Sequence, residues 1–224
     1  MTQNLLDAIE IETAPHPQAA VIWLHGLGAD GSDFVPLVPE LDLSGCPPIR
    51  FVFPHAPTMP VTINNGYVMR AWYDILGLDL AHREDEAGLR KSQGQVETLI
   101  AREKARGIPA SRIVLAGFSQ GCAMTLQTGL RHPERLAGLL GLSGYLPLHT
   151  TLGTEHHAAN LATPLFLAHG RIDPVVPFDR AEKSRDILRA HGFVVEWHEY
   201  MMGHSLCAEE IADIGAWLRR VLAA

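Results

Sequence analysis

The chain has 224 residues, 47% of them hydrophobic and 19% charged, with a net charge of −7. That is the size and balance of a soluble globular α/β domain able to bury about 70% of its unfolded surface. No stretch is rich in Lys or Arg, which argues against nucleic acid or an anionic membrane as partner, and no apolar run is long enough to span a bilayer. Cys46, Cys122 and Cys207 are odd in number and lack C-x-x-C spacing, so a disulfide framework is not expected. The first fifteen residues carry acids where a secretory signal needs a basic start and an apolar core. The expectation is a cytoplasmic protein without stable membrane insertion.

Residues 5–12 read as an edge strand closed by Pro15 and Pro17. Residues 19–24, AAVIWL, are continuously apolar, as in a strand covered on both faces. A glycine-rich loop, HGLGADG at 25–31, follows, with a helix expected near Ser32 and Asp33. Residues 49–53 form the next strand. The segment 54–88 is the least regular and contains Trp72, Tyr73 and the acidic run Glu84–Asp85–Glu86. Such a long aperiodic segment suits a functional loop, and its apolar content at 67–80 argues against disorder. Residues 90–106 fit an amphipathic helix capped by Gly107 and blocked by Pro109.

Residues 113–116 run as a strand into Gly117-Phe118-Ser119-Gln120-Gly121, and helix-like sequence follows directly. This is G-x-S-x-G in the strand–turn–helix context that lifts a serine hydroxyl above the end of a sheet. Strands are expected at 136–142, 164–168 and 193–200, and helices at 179–190 and 205–222. Strands and helices thus alternate through most of the chain. That predicts one domain over residues 1–224, built on a mostly parallel sheet with helices on both faces.

A serine hydroxyl needs a base to take its proton and a carboxylate to hold that base. With this elbow the chain order is Ser, then Asp or Glu, then His, in loops after later strands. Asp173 follows the 164–168 strand. Its other reading is a helix N-cap, a role that suits Asp179 better. His204 lies between the last strand and the last helix, whereas His191 precedes that strand and His198 lies within it. Negative charge on the attacked oxygen requires preset donors. The backbone N–H groups of Gln120 and, from the glycine-rich loop, Leu27 are expected to supply them. The loop could instead be a plain strand–helix turn; the established phosphate-binding glycine patterns are missing from it. His149, His156 and His157 match no zinc spacing and read as a solvated loop.

LHGLGADGSDF (24–34), PHAP (54–57), MRAWYD (69–74), EDEAG (84–88), GFSQG (117–121), LSGYLP (142–147), HGRIDPVVP (169–177) and MGHS (202–205) occur in this order over nearly the whole chain. Together they resemble the phospholipase/carboxylesterase family, small α/β-hydrolases that include bacterial carboxylesterases and acyl-protein thioesterases. The resemblance implies an α/β-hydrolase fold with a sheet of about seven strands and no separate cap domain. It implies a serine carboxylesterase for short- to medium-chain acyl esters, with thioesterase or lysophospholipase activity at the same site as the alternative. Nucleophile, acid and base map to Ser119, Asp173 and His204, and the oxyanion donors to Leu27 and Gln120. Trp72, Leu76 and Leu78 map to the loop flanking the acyl groove, and Tyr145 and Val175 to its lining. No metal or organic cofactor is implied. The implied partners are a small or lipid-like acyl ester and an acylated protein, and an apolar groove rim would favour a homodimer. The family commonly has glycine where this chain has Cys122, a thiol that could sensitise activity to thiol reagents. A non-catalytic binding protein on the same fold and a serine peptidase are the competing readings.

Overall fold

The computed structural model describes residues 5–77 and 84–223. Among these, nine strands form: β1 (Ala8–Glu12), β2 (Ala19–Leu24), β3 (Ile49–Pro54), β4 (Thr58–Val61), β5 (Tyr67–Arg70), β6 (Ile113–Phe118), β7 (Gly138–Leu142), β8 (Leu165–Gly170) and β9 (Val195–Tyr200). The α-helices are α1 (Glu86–Ala105), α2 (Gln120–Gly129), the single turn α3 (Leu152–Glu155), α4 (Phe178–Ala190) and α5 (Ala208–Leu222).

Seven strands make one sheet in the order β1-β3-β2-β6-β7-β8-β9, and β4 and β5 form a separate hairpin. Only β1 runs antiparallel to its neighbour in the large sheet. This is the expected α/β-hydrolase sheet. The continuous apolar runs arise because both faces are covered. On β2, Ala20, Ile22 and Leu24 face a core completed by Leu89, Val96, Leu99 and Ile100 of α1, Ala123 and Met124 of α2, and Leu188 of α4. Alternate residues Ala19, Val21 and Trp23 face a second core, with Ile214, Trp217, Leu218 and Leu222 of α5. The period of two along one strand thus serves two cores at once.

Two expectations change. A short 3₁₀ segment, Val35–Glu40, replaces the helix expected near Ser32 and Asp33. Pro36 and Pro39 remove the backbone donors that an α-helix would need there. Helix α1 starts four residues before the expected position, because the Asp85 side chain accepts the Gly88 N–H as an N-cap. In a parallel sheet the strand ends at Phe118, Gly170 and Tyr200 lie along one edge, and Ser119, Asp173 and His204 follow them.

Candidate active site

Ser119 sits between β6 and α2 with φ 56° and ψ −116°, a region that side-chain-bearing residues rarely occupy. The turn is held by crowding. A Cβ at Gly117 would fall 2.2 Å from the Gly121 carbonyl oxygen, and one at Gly121 would fall 2.1 Å from the Leu24 carbonyl oxygen. The Ser119 N–H donates to the Leu142 carbonyl at 2.8 Å, which ties the elbow to the neighbouring strand.

Ser119 Oγ lies 2.9 Å from His204 Nε2, and His204 Nδ1 lies 2.7 Å from Asp173 Oδ2. The Asp173 side chain is fully buried, and its Oδ1 accepts the N–H groups of Val175 at 2.8 Å and Val176 at 2.9 Å. A carboxylate facing Nδ1 requires the proton there, leaving the Nε2 lone pair for the hydroxyl. The Phe118 ring, 4.7 Å from the imidazole centroid, supports the ring from the side. A Cβ at Gly170 would meet the Met202 carbonyl oxygen at 2.4 Å, so the His204 loop packs directly on the end of β8. His169 donates from Nε2 to the Val176 carbonyl at 2.9 Å, and burial lowers its pKa, keeping it neutral beside Asp173. The rival histidines are elsewhere. His198 stacks on Phe166 within β9, and His191 caps the end of α4. Asp179 lies in the first turn of α4, whose N-cap position is taken by Pro177.

Leu27 and Gln120 both border the cleft that opens at Ser119. Among the described residues neither backbone N–H has an acceptor. His25 shapes the Leu27 loop from below. Its Nε2 accepts the Ala56 N–H at 3.0 Å, so its proton is on Nδ1, which donates to the Gly26 carbonyl at 2.7 Å. Burial lowers the His25 pKa to about 4. The unfolded chain therefore takes up a proton near the ordinary value of 6.5 that the folded chain refuses until about 4. Stability is complete above pH 6.5 and falls as pH drops from there toward 4, by at most roughly 3 kcal/mol. Urea midpoints should decline over that interval, and less steeply in His25→Gln.

The cleft has a volume of about 330 Å³. Leu76, Tyr145 and Val175 line it, together with Tyr73, Ile75 and Ile187. Leu78 lies outside the described residues. Trp72 corrects the expectation: it is fully buried and does not border the cleft among the described residues. Its indole N–H donates to the His25 carbonyl at 2.9 Å, and its backbone N–H donates to Gln120 Oε1 at 2.8 Å. Gln120 Nε2 in turn donates to the Tyr73 carbonyl at 2.7 Å. The Gln120 side chain, buried at the start of α2, thus fastens the cleft wall to the elbow. Sequence reasoning used only its backbone; the signal was a long polar side chain at the head of a helix that is buried along its whole length. Tyr73 was likewise passed over, and its hydroxyl lies 2.7 Å from that of Tyr145.

Cys122 is buried between Gly141 and Gly144, filling the space where their Cβ atoms would be. Burial pushes its thiol up to about 12. Iodoacetamide at neutral pH should leave activity unchanged over hours, because the thiolate is the reactive form; rapid inactivation traced to a Cys122 adduct would contradict this. Of His149, His156 and His157, the first borders the cleft, the second packs edge-on to Phe193 and the third accepts the Ala159 N–H. Among the described residues no group of three His, Cys, Asp or Glu side chains is arranged to hold a metal ion.

The model of the family described as phospholipase/carboxylesterase matches residues 7–222. The chain belongs to that family. An acyl-protein thioesterase 1 from Yarrowia lipolytica is 42% identical over 216 residues, covering 94% of this chain and 95% of the relative. Among family structures, Zea mays acyl-protein thioesterase 2 superposes with a TM-score of 0.84 at 30% identity, over 96% of this chain and 100% of that one. The esterase PE8 superposes with a TM-score of 0.83 at 29% identity, over 98% and 100%. Membership makes this chain a serine hydrolase with esterase or thioesterase activity.

Proposed function

We propose that the chain hydrolyses acyl thioesters, and the corresponding oxygen esters, through an acyl-Ser119 intermediate. The hydrogen-bonded series Ser119–His204–Asp173 at the mouth of an apolar cleft carries this reading. The relatives at about 40% identity are named acyl-protein thioesterases, which moves the thioester ahead of the simple carboxylic ester expected first. An acylated protein or a lipid-like acyl donor is then the substrate class. Leu76 and Val175, both partly exposed, form the rim over which the acyl chain enters.

In the first half-reaction Ser119 Oγ attacks the acyl carbonyl while its proton passes to His204 Nε2. Asp173 stabilises the imidazolium through Nδ1. The N–H groups of Leu27 and Gln120 receive the charge on the carbonyl oxygen. His204 then protonates the departing sulfur or oxygen. In the second half water attacks the acyl-serine, again deprotonated by His204, and the acid leaves. The residues of the chain supply every proton transfer and donor in this cycle. A cytoplasmic setting accords with three unpaired cysteines.

A matched series of acyl thioesters and oxygen esters tests the reading. While the chain still fits the cleft, each added methylene should raise kcat/KM by up to about 4-fold, equivalent to ~0.8 kcal/mol of burial. Thioesters should exceed oxygen esters of equal length. A response flat in chain length would sink the acyl-cleft assignment, and faster oxygen-ester turnover at every length would restore the carboxylesterase reading.

A further inference from the structure

The loop at residues 201–207 carries His204 from β9 into α5, and both of its ends are tied. At the entry, Tyr200 Oη donates to Asp213 Oδ2 at 2.8 Å, joining the end of β9 to α5. The Met202 carbonyl accepts the Ile172 N–H at 3.2 Å. At the exit, Cys207 holds the N-cap position of α5 without a side-chain capping bond. Glu210 is the third residue of α5. It is completely buried, and among the described residues no side chain hydrogen-bonds to its carboxyl oxygens; the backbone N–H of Cys207 is the donor that faces them. The titratable groups facing it are Asp213 from its own helix and Tyr200 from β9. No basic side chain among the described residues pairs with it.

We propose that Glu210, held as the neutral acid, is a positioning residue for His204: it keeps the root of the base loop closed, and its ionisation loosens that root. The proposal rests on the reading of His204 as the base. A charge on Glu210 would face no cation and be desolvated, and it would stand beside the Asp213 carboxylate that accepts the Tyr200 hydrogen bond. Such a charge is relieved only by admitting water, which means parting the first turn of α5 from the core. That turn begins four residues after His204, so the Nε2 position relative to Ser119 shifts with it.

Burial pushes the Glu210 carboxyl up to about 8; the Cys207 N–H pulls the other way and Asp213 adds to the rise. The folded state thus keeps a proton that the unfolded chain releases near the ordinary carboxyl value of 4.5. Its contribution to stability is complete below that value and is lost as pH rises through about 8.

The experiment measures kcat and KM for a chromogenic acyl ester from pH 6 to 10, with thermal midpoints over the same range. Wild type, Glu210→Gln, Glu210→Ala and Asp213→Asn are compared. In wild type kcat should fall above about pH 8 with KM steady. Glu210→Gln, a neutral isostere, should keep the neutral-pH kcat within about 3-fold and lose the alkaline fall, because a residue that cannot ionise has no step to show. Glu210→Ala should lower kcat by about 10-fold at neutral pH, with KM changed less than about 2-fold. Asp213→Asn removes the like charge and should move the alkaline fall to lower pH, a readout that stands if the Glu210 variants fail to fold. Turnover with an alkaline fall unmoved in Glu210→Gln and Asp213→Asn overturns the Glu210 proposal alone. No turnover by wild type at any pH overturns the acyl-hydrolase reading and the positioning role together.

Discussion

Ser119→Ala is expected to abolish acyl-ester and thioester turnover, by about 10⁶-fold in kcat, leaving only the residual rate that binding and oxyanion donors provide. The size follows from the geometry. Ser119 Oγ is the oxygen 2.9 Å from His204 Nε2, and removing it leaves the imidazole with nothing to activate for covalent attack. Labelling by a fluorophosphonate should vanish at the same time, since that reagent reports the same nucleophile. Fold is not at risk: alanine is smaller and carries the same Cβ that serine already places on this strained backbone, so the turn is left as it was. Thermal stability should stay equal or rise, and KM for any residual activity should change little. Retained labelling or turnover within about 10-fold of wild type would remove Ser119 from the nucleophile's role.

Asp173→Asn should cost about 10⁴-fold in kcat, with the backbone in place. Oδ1 of Asp173 accepts two N–H groups, from Val175 and Val176, so an asparagine will put its carbonyl oxygen there. Its NH₂ is then left facing His204 Nδ1, 2.7 Å away in the native chain. Two donors cannot share that contact, so the imidazole moves its proton to Nε2 and offers the serine an N–H in place of a lone pair. The loss should shrink as pH rises and hydroxide or deprotonated imidazole substitutes for the oriented base. A kcat loss below about 10-fold, independent of pH, would show that Asp173 does not orient the imidazole.

Much of this was legible because the decisive signals are local. The Gly117-to-Gly121 elbow declares itself by spacing, since only glycine tolerates the approach of the Gly121 and Leu24 carbonyls. The positions of Asp173 and His204 follow from chain order once strands are placed by apolar runs. What escaped depends on contacts distant in sequence. The family resemblance places Trp72 at the groove, yet its partners, His25 and Gln120, lie 47 and 48 residues away. The β4–β5 hairpin hid in an aperiodic stretch broken by Pro57 and Pro60, where two short strands pair only with each other. The early start of α1 was masked because Asp85, the residue that caps it, belongs to the aperiodic segment read as a functional loop.

The bonds from Gln120 to Trp72 and Tyr73, and from Trp72 to His25, join three parts of the enzyme that perform separate tasks. In the proposed mechanism, the wall that meets the acyl chain, the loop that offers an N–H to the oxyanion and the helix behind the nucleophile share one set of supports. Selection for a new acyl length therefore acts on rate as well as fit. Substitutions that reshape the wall while leaving the Trp72 and Tyr73 backbone fixed are the ones open to divergence, and exchange of the whole segment between relatives would have to carry residue 120 along with it.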